Sequence, residues 1–372
     1  MIRTDVAIIG AGMAGASLAA SVAPERRVVM IEAEAQPGYH ATGRSAAFWS
    51  ESYGGPGVQP LTSASGPFLS RPPAEFAERG FLGPRGHLHI ADVGGRSALG
   101  ALARDFAGSG VEMRALDRPA IEALVPGILP GWDSGVIEPS CQDIDVAGLH
   151  AAYLRAARLA GAELHCGRRV AAIEPVAGGW RIEAGGGEPI LAAIVVNAAG
   201  AWASAVARMA GALPIAITPY RRTMLQLRLD RAVPADMPLV ADAVGRFYFK
   251  PEAGGRIWLS PHDEIESSPV DAAPEEIDIA IAIDRLEKVV DWRVVSVERK
   301  WAGLRSFAPD RLPVYGFDPH RPGFFWFAGQ GGFGIQTAPA AAMIGAALLT
   351  GRAADPAVAA IDASAYAPQR FG

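Results

Sequence analysis

Apolar residues along this chain come in short blocks separated by glycine, proline and charge. Residues 5–9, DVAII, read as a buried strand that stops at Gly10, and the small-residue run ASLAASVA after it reads as a helix able to pack closely on a sheet. A second strand pattern, RVVMI at 27–31, stops at Glu32. Further along, LAAIVVNAAGAWAS is an apolar strand ending in Ala198, Ala199 and Gly200. Near the C-terminus, GFFWFAGQGGFGIQTAPAAAMIGAALL predicts a strand, a Gly-rich turn and a long apolar helix from about Thr337. Between these lie alternating pieces, HLHIAD, TMLQLRL, RFYFKP and RIWLS, with the period-two pattern of half-buried strands. The segment EEIDIAIAIDRLEKVV from Glu275 predicts a helix, although its repeated isoleucines also suit a strand.

The most apolar stretches, 191–199 and 323–334, are broken by Gly, Asn or Gln. They stop short of the roughly 20 residues a membrane-spanning helix needs, so no such segment is expected. A length of 372 residues with half of them hydrophobic suffices for two domains. The formal charge of −5 without a basic run argues against nucleic acid or an anionic membrane as partner. Cys141 and Cys166 are too few for a disulfide framework or a cysteine metal site, and no basic-then-apolar leader pattern is present. A cytoplasmic protein is expected, as a monomer or weak homo-oligomer with a small-molecule substrate.

The order strand, GAGMAG, helix, strand, acid changes this picture. Gly10 permits a tight turn, Gly12 lets backbone approach a pyrophosphate, and Gly15 lets the helix sit close to the sheet. Free amides around Ala11, Met13 and Ala14 at the helix start favour phosphate charge. Glu32, followed by Ala33, stands where a carboxylate accepts both hydroxyls of a ribose. A lone GxGxxG is weak and often only a turn, but here its whole flanking context is present. It marks a dinucleotide site without choosing between NAD and FAD.

The segment from Ala33 onward favours FAD. AEAQPGYHATGRSAAFWSESYGG is a poor start for the next strand–helix alternation of an NAD domain. Gly43, Arg44, Ser45 and Ala46 suit a loop passing close to pyrophosphate, ribitol and a flat ring. Ala199 and Gly200 keep a backbone slim beside a cofactor. The amides of Gly332, Gly334 and Ile335 are placed to face a flavin carbonyl and stabilise charge on reduction. Val170, Gly303, Gly331 and Thr337 complete the expected cofactor-contacting set.

Taken together, DVAIIGAGMAGASLA, GYHATGRSAA (38–47), VVNAAGAWA (195–203), WAGLRSFAPDRLPVYG (301–316) and GQGGFGIQTAPA (329–340) resemble the D-amino-acid oxidase superfamily of FAD enzymes, which includes glycine oxidases, sarcosine oxidases and bacterial D-amino-acid dehydrogenases. Within it, QPGYHATGRSAA, PYRRT, RFYFKPEAG, KWAGLRS and QGGFGIQT are most similar to bacterial D-arginine dehydrogenases. The resemblance implies an α/β Rossmann-like FAD domain assembled from residues 1–80, 146–214 and 306–372. An α+β substrate domain on a mixed or antiparallel sheet would comprise residues 81–145 and 215–305. It also implies oxidative deamination of a D-amino acid, with hydride passing from Cα to flavin N5. The imino acid product hydrolyses to a 2-oxo acid and ammonia, and a quinone or protein would take the electrons.

A substrate carboxylate wants a planar cationic fork. By resemblance, Arg305 in GLRSF and Arg222 in PYRRT are its candidates, with Arg221 able to exchange roles with Arg222 if the register differs. Tyr53, before glycines suited to a lid in SESYGGP, and Tyr248 are candidates to bond the carboxylate or close the pocket. Phe48 stands where the D-arginine enzymes carry a histidine. His87 stands where they carry the acid that reads a guanidinium, which makes it the expected specificity residue and puts arginine preference in doubt. A neutral His87 would suit a polar or anionic side chain, and a protonated one would repel a cation.

Gly332 would offer the substrate amine a backbone carbonyl, and Gln336 a side-chain contact. His87 and His89 share a strand face but lack an evident third ligand, so no metal site is expected. GLRSFAPDRLP has no cysteine, so FAD would be noncovalent. Three other readings remain open: an oxygen-using amino-acid or secondary-amine oxidase of the same fold, an inactive FAD-binding structural or regulatory protein, and an NAD-dependent enzyme.

Overall fold

The computed structural model describes residues 1–372. Its first layer is an eight-stranded sheet. Strand Ile2–Ile9 lies at its centre, parallel to Val28–Ile31 on one side and to Ile190–Asn197 on the other. Glu163–His165 and Phe324–Ala328 extend the parallel core outward. Antiparallel additions close it: Val170–Val176 with Gly179–Ala184, and Val314–Phe317 against Phe324–Ala328. The central strands read as continuous apolar runs because both their faces are covered. Leu18 of helix Met13–Val22 and Ile344 of helix Ala338–Thr350 meet Ile8 and Phe327 on one face, while Val195, Trp326 and Val206 pack on the other.

The second layer is a ten-stranded mixed sheet. Its spine is the long antiparallel pair Thr218–Leu229 and Val294–Phe307. The alternating residues Leu225, Leu227 and Leu229 join Phe249, Ile257 and Leu259 in a separate core. The isoleucine-rich segment settles as helix Glu276–Glu287. Its buried face runs Ile279, Ala282 and Leu286, the three- and four-residue spacing of a helix, while Ile277 is exposed. His87–Ala91 is parallel to Leu239–Asp242 and antiparallel to Ser134–Glu138.

A small sheet of Phe48–Trp49, Leu82–Pro84 and Gln142–Ile144 joins chain from both layers. Ser50–Ser52, which come after the cofactor loop, are held beside His87 and Glu138 of the second layer. No helix is long and apolar enough to cross a membrane.

Candidate active site

Where the layers meet, a groove of about 300 Å³ runs from Glu32 to Gln330. Its floor is the turn after strand Ile2–Ile9. Gly10 has a φ of +100°, and a Cβ there would stand 2.5 Å from the Ala198 carbonyl oxygen. Only glycine takes that turn so close to the neighbouring strand. The Met13 amide donates to Thr42 Oγ1, while those of Gly12 and Ala14 meet no protein acceptor and line the groove. Glu32 accepts from the Ala11 amide at 2.9 Å and the Glu34 amide at 3.0 Å, which aims its carboxylate at the groove from a fixed position. At the far end the Gly334 and Ile335 amides are likewise without protein acceptors. Two sets of unpaired donors, one at a helix start and one before helix Ala338–Thr350, with an acid at the ribose position, form the donor set an FAD molecule requires.

The groove also contains Ala33, Ser45, Val170, Ala199, Gly200, Gly303, Gly331 and Gly332. Five expected contacts are corrected. Ala11 is fully buried and spends its amide on Glu32. A Cβ on Gly15 would overlap the Gly10 carbonyl, so this glycine serves helix packing. Gly43 closes a turn onto Gly38. Ala46 faces the neighbouring cavity, and Thr337 is buried with its hydroxyl on the Phe333 carbonyl. Arg44 lines the groove but is committed elsewhere: it pairs with Asp271 and donates to the Ala272 and Ala302 carbonyls. It thus fastens the segment around Asp271 over the groove, where Val270 and Ala272 form part of the wall.

A second cavity of about 210 Å³ adjoins the first, and Ser45, Arg305, Gly332 and Ile335 line both. Tyr53, Tyr248, His87, His89, His262 and Phe48 are in its wall. A methyl on Gly332 would overlap the Tyr53 hydroxyl and stand 3.2 Å from Arg305 Nε, so the three crowd one point beside the groove. Arg305 Nε is buried without a partner. A guanidinium N–H left unpaired in a buried site is costly unless an anion takes it, which suits a substrate carboxylate.

Arg222 does not line the cavity. It lies behind the wall, 1% exposed, donating Nε to the Asp263 carbonyl and Nη2 to Glu264, with Nη1 unpartnered. Direct substrate contact is therefore corrected to a supporting position. Arg221 points away from it, to Glu275 and Asp278 on the helix side, which resolves the register. Gln336 is corrected as well: its oxygen accepts from the Ser50 amide, and its nitrogen donates to the Tyr53 carbonyl and Thr62 Oγ1. Its amide holds the Tyr53 loop, with both N–H hydrogens spent on protein.

His87 is 3% exposed, and burial pushes its pKa down to about 3. It is neutral, so the cation-repelling form does not arise near neutrality. Opposite it on the adjacent strand is Glu138, fully buried. An acid is thus present beside His87 on another strand, although it does not line the cavity. His87, His89 and Glu138 place one ligand atom each within 4.8 Å, a third metal-ligand candidate that the sequence did not reveal. Glu138 is nonetheless occupied: Oε2 accepts from Ser50 Oγ, Ser52 Oγ and the Ser52 amide, and Oε1 from the Glu51 amide and Ser140 Oγ. Four of these donors are Glu138's own, and Ser140 Oγ, with one hydrogen, lies closer to Glu51 Oε2 at 3.1 Å, so the carboxylate is held by the protein rather than left open.

His262 was also missed. It comes after the strand Arg256–Ser260 in HDE and holds φ at +53°, uncommon for a residue with a side chain. That run of three polar residues, one proline after the strand, was the available signal.

A profile of the family described as "DAO: FAD dependent oxidoreductase" matches residues 5–348. Glycine oxidase of Pseudomonas aeruginosa is 30% identical over 177 residues, covering 47% of this chain and 45% of its own. FAD-dependent oxidoreductase domain-containing protein 1 of Bos taurus is 27% identical over 169 residues, covering 41% of this chain. The chain spans 35% of that bovine relative's length. Among solved structures, glycine oxidase from Geobacillus kaustophilus superposes with a TM-score of 0.82 at 24% identity, covering 97% of this chain and 99% of its own. Iminodiacetate oxidase from Chelativorans sp. BNC1 gives 0.79 at 21% identity, covering 98% of each. At these identities the superpositions establish a shared fold, with the groove and adjoining cavity described above lying between its two layers. The chain belongs to the DAO family of FAD dependent oxidoreductases.

Proposed function

We propose that the chain holds FAD noncovalently in the groove and dehydrogenates the Cα–N bond of a D-amino acid bound in the adjoining cavity, with a quinone or protein as electron acceptor. One observation carries this reading. Arg305, with a buried unpartnered Nε, and the Tyr53 hydroxyl meet over Gly332, at the junction of groove and cavity.

Bound FAD supplies the hydride acceptor. The protein's part is orientation. Arg305 takes the substrate carboxylate, Tyr53 and Tyr248 flank it, and Arg222 adds positive charge behind. The Gly332 carbonyl is left to receive the substrate amine. Gly334 and Ile335 present amides to the negative charge that develops on reduction. No nucleophile is needed.

A second reading within the family, an oxidase that passes electrons to oxygen, is favoured by the glycine oxidase and iminodiacetate oxidase similarities. Anaerobic bleaching of the flavin by matched D- and L-amino acids, glycine and sarcosine tests the first reading. Bleaching by D-amino acids alone supports it; bleaching only by glycine or secondary amines overturns it. Re-oxidation in air-saturated buffer, faster than with a soluble quinone and accompanied by hydrogen peroxide, would favour the second.

A further inference from the structure

The distal wall of the second cavity carries two imidazoles whose tautomers are fixed by the protein. Ser50 Oγ has one hydrogen, and its shortest contact is to the Glu138 carboxylate at 2.8 Å. A hydroxyl gives its proton to a charged acceptor in preference to a neutral one, and Ser52 Oγ, 3.3 Å away, gives its own to Glu138, so Ser50 must accept from His87 Nδ1 at 3.0 Å. His87 therefore carries its proton on Nδ1 and shows a lone pair at Nε2. That atom is buried without a partner. His262 reaches the same state by another route: its Nδ1 is 2.8 Å from the Gly245 carbonyl, which can only accept. Nδ1 again holds the proton, and Nε2 again presents a lone pair.

We propose that this wall selects a substrate with an uncharged side chain bearing an N–H or O–H donor, such as a carboxamide or hydroxyl. The proposal rests on the cavity being the substrate site. Three alternatives fail on the charges nearby. An apolar side chain would leave the His87 lone pair buried and unpaired. A carboxylate side chain would face the lone pairs of His87 and His262, with His89, whose Nε2 has no protein partner, the one ring of the wall left free to donate. A guanidinium or ammonium would need a counter-ion, yet Glu138 does not line the cavity and accepts from Ser50, Ser52 and the Glu51 amide, and both oxygens of Asp242, the acid in the cavity wall, are bound to Arg246. Burying a cation without a free anion is the least favourable case of the three.

The test uses the FAD-loaded protein and ligands that lack the α-amine and so cannot be oxidised: succinamate, succinate, 4-methylpentanoate and 5-aminopentanoate. Binding is read from the perturbation of the flavin's visible spectrum. Succinamate is expected to bind roughly 10-fold or more tightly than each of the others. Ser50→Ala, which frees the His87 tautomer, is expected to bring succinate and succinamate within roughly 3-fold of each other. Tighter binding of succinate, the apolar acid or the amine, no preference among the four, or no binding overturns the proposal. So does zinc bound in equimolar amount, removed by chelator, whose loss changes the order. Because no ligand in the series is oxidised, failure of amino acids to bleach the flavin would defeat the proposed activity and leave this selectivity standing.

Discussion

At the scale of single residues the site depends on what is left unpaired. Arg305 is positioned with a free Nε beside Tyr53 and Gly332. Arg305→Lys keeps the charge but loses the planar fork, and flavin reduction by the best amino acid is expected to lose roughly 100-fold or more in efficiency, about 3 kcal/mol. Stopped-flow reduction measures it; a loss under a few-fold would remove Arg305 as the carboxylate clamp. Gly332→Ala tests the crowding itself. The added methyl must push aside the Tyr53 hydroxyl, so reduction is expected to slow by at least roughly 10-fold while FAD stays bound. Unchanged rates would show that the tyrosine yields freely.

Those residues were read from the chain because each sits in a recognisable string. The acid at Glu138 was not, since VIEPS has nothing that distinguishes it from any strand end. Its role comes from being opposite His87 across two strands and within reach of Ser50 and Ser52.

At the scale of elements, the segment around Asp271 is fastened over the groove. Asp271 pairs with Arg44 and accepts from the Tyr39 hydroxyl at 3.0 Å, but its side chain is 60% exposed. Exposed pairs contribute little, about 0.5–1 kcal/mol. Asp271→Ala is therefore expected to weaken FAD retention by only about 3-fold, seen as faster flavin release on dilution. No change would mean that the covering segment is held by its backbone bonds from Arg44 alone. The helix Glu276–Glu287 was legible because its buried face keeps the helical period, even though its isoleucines also alternate. The small sheet that includes Phe48–Trp49 was not, because its strands are two or three residues long and pair across distant chain.

At the scale of the whole molecule, neutral buried histidines tie stability to pH. Burial pushes His87 down to about 3; burial, with the charge of Arg222 second, does the same to His262. In the unfolded chain each takes a proton near 6.5, so below that pH the unfolded state binds more protons than the native one. Their contribution is complete above 6.5 and falls away as pH drops toward 3, by up to about 1.4 kcal/mol per pH unit for each. Urea denaturation at pH 7, 6 and 5 should show falling midpoints, with a shallower fall in His87→Phe. A flat profile for both proteins would contradict the buried neutral state.

The division between chain and fold reflects how each site is made. One end of the cofactor cradle uses backbone amides within a few consecutive residues, and Glu32 is carried to it by the next strand, so that end was legible in GAGMAG and its flanks. The substrate cavity is made of side chains from separate strands, where a one-residue change of register turns a side chain to the opposite face. Arg221 and Arg222 are adjacent in sequence, yet one pairs with the outer helix and the other stands behind the cavity. Which of them lies beside the cavity, whether Gln336 had a free amide, and which nitrogen His87 presents were decided only when the strands had paired and the hydrogen bonds had been shared out.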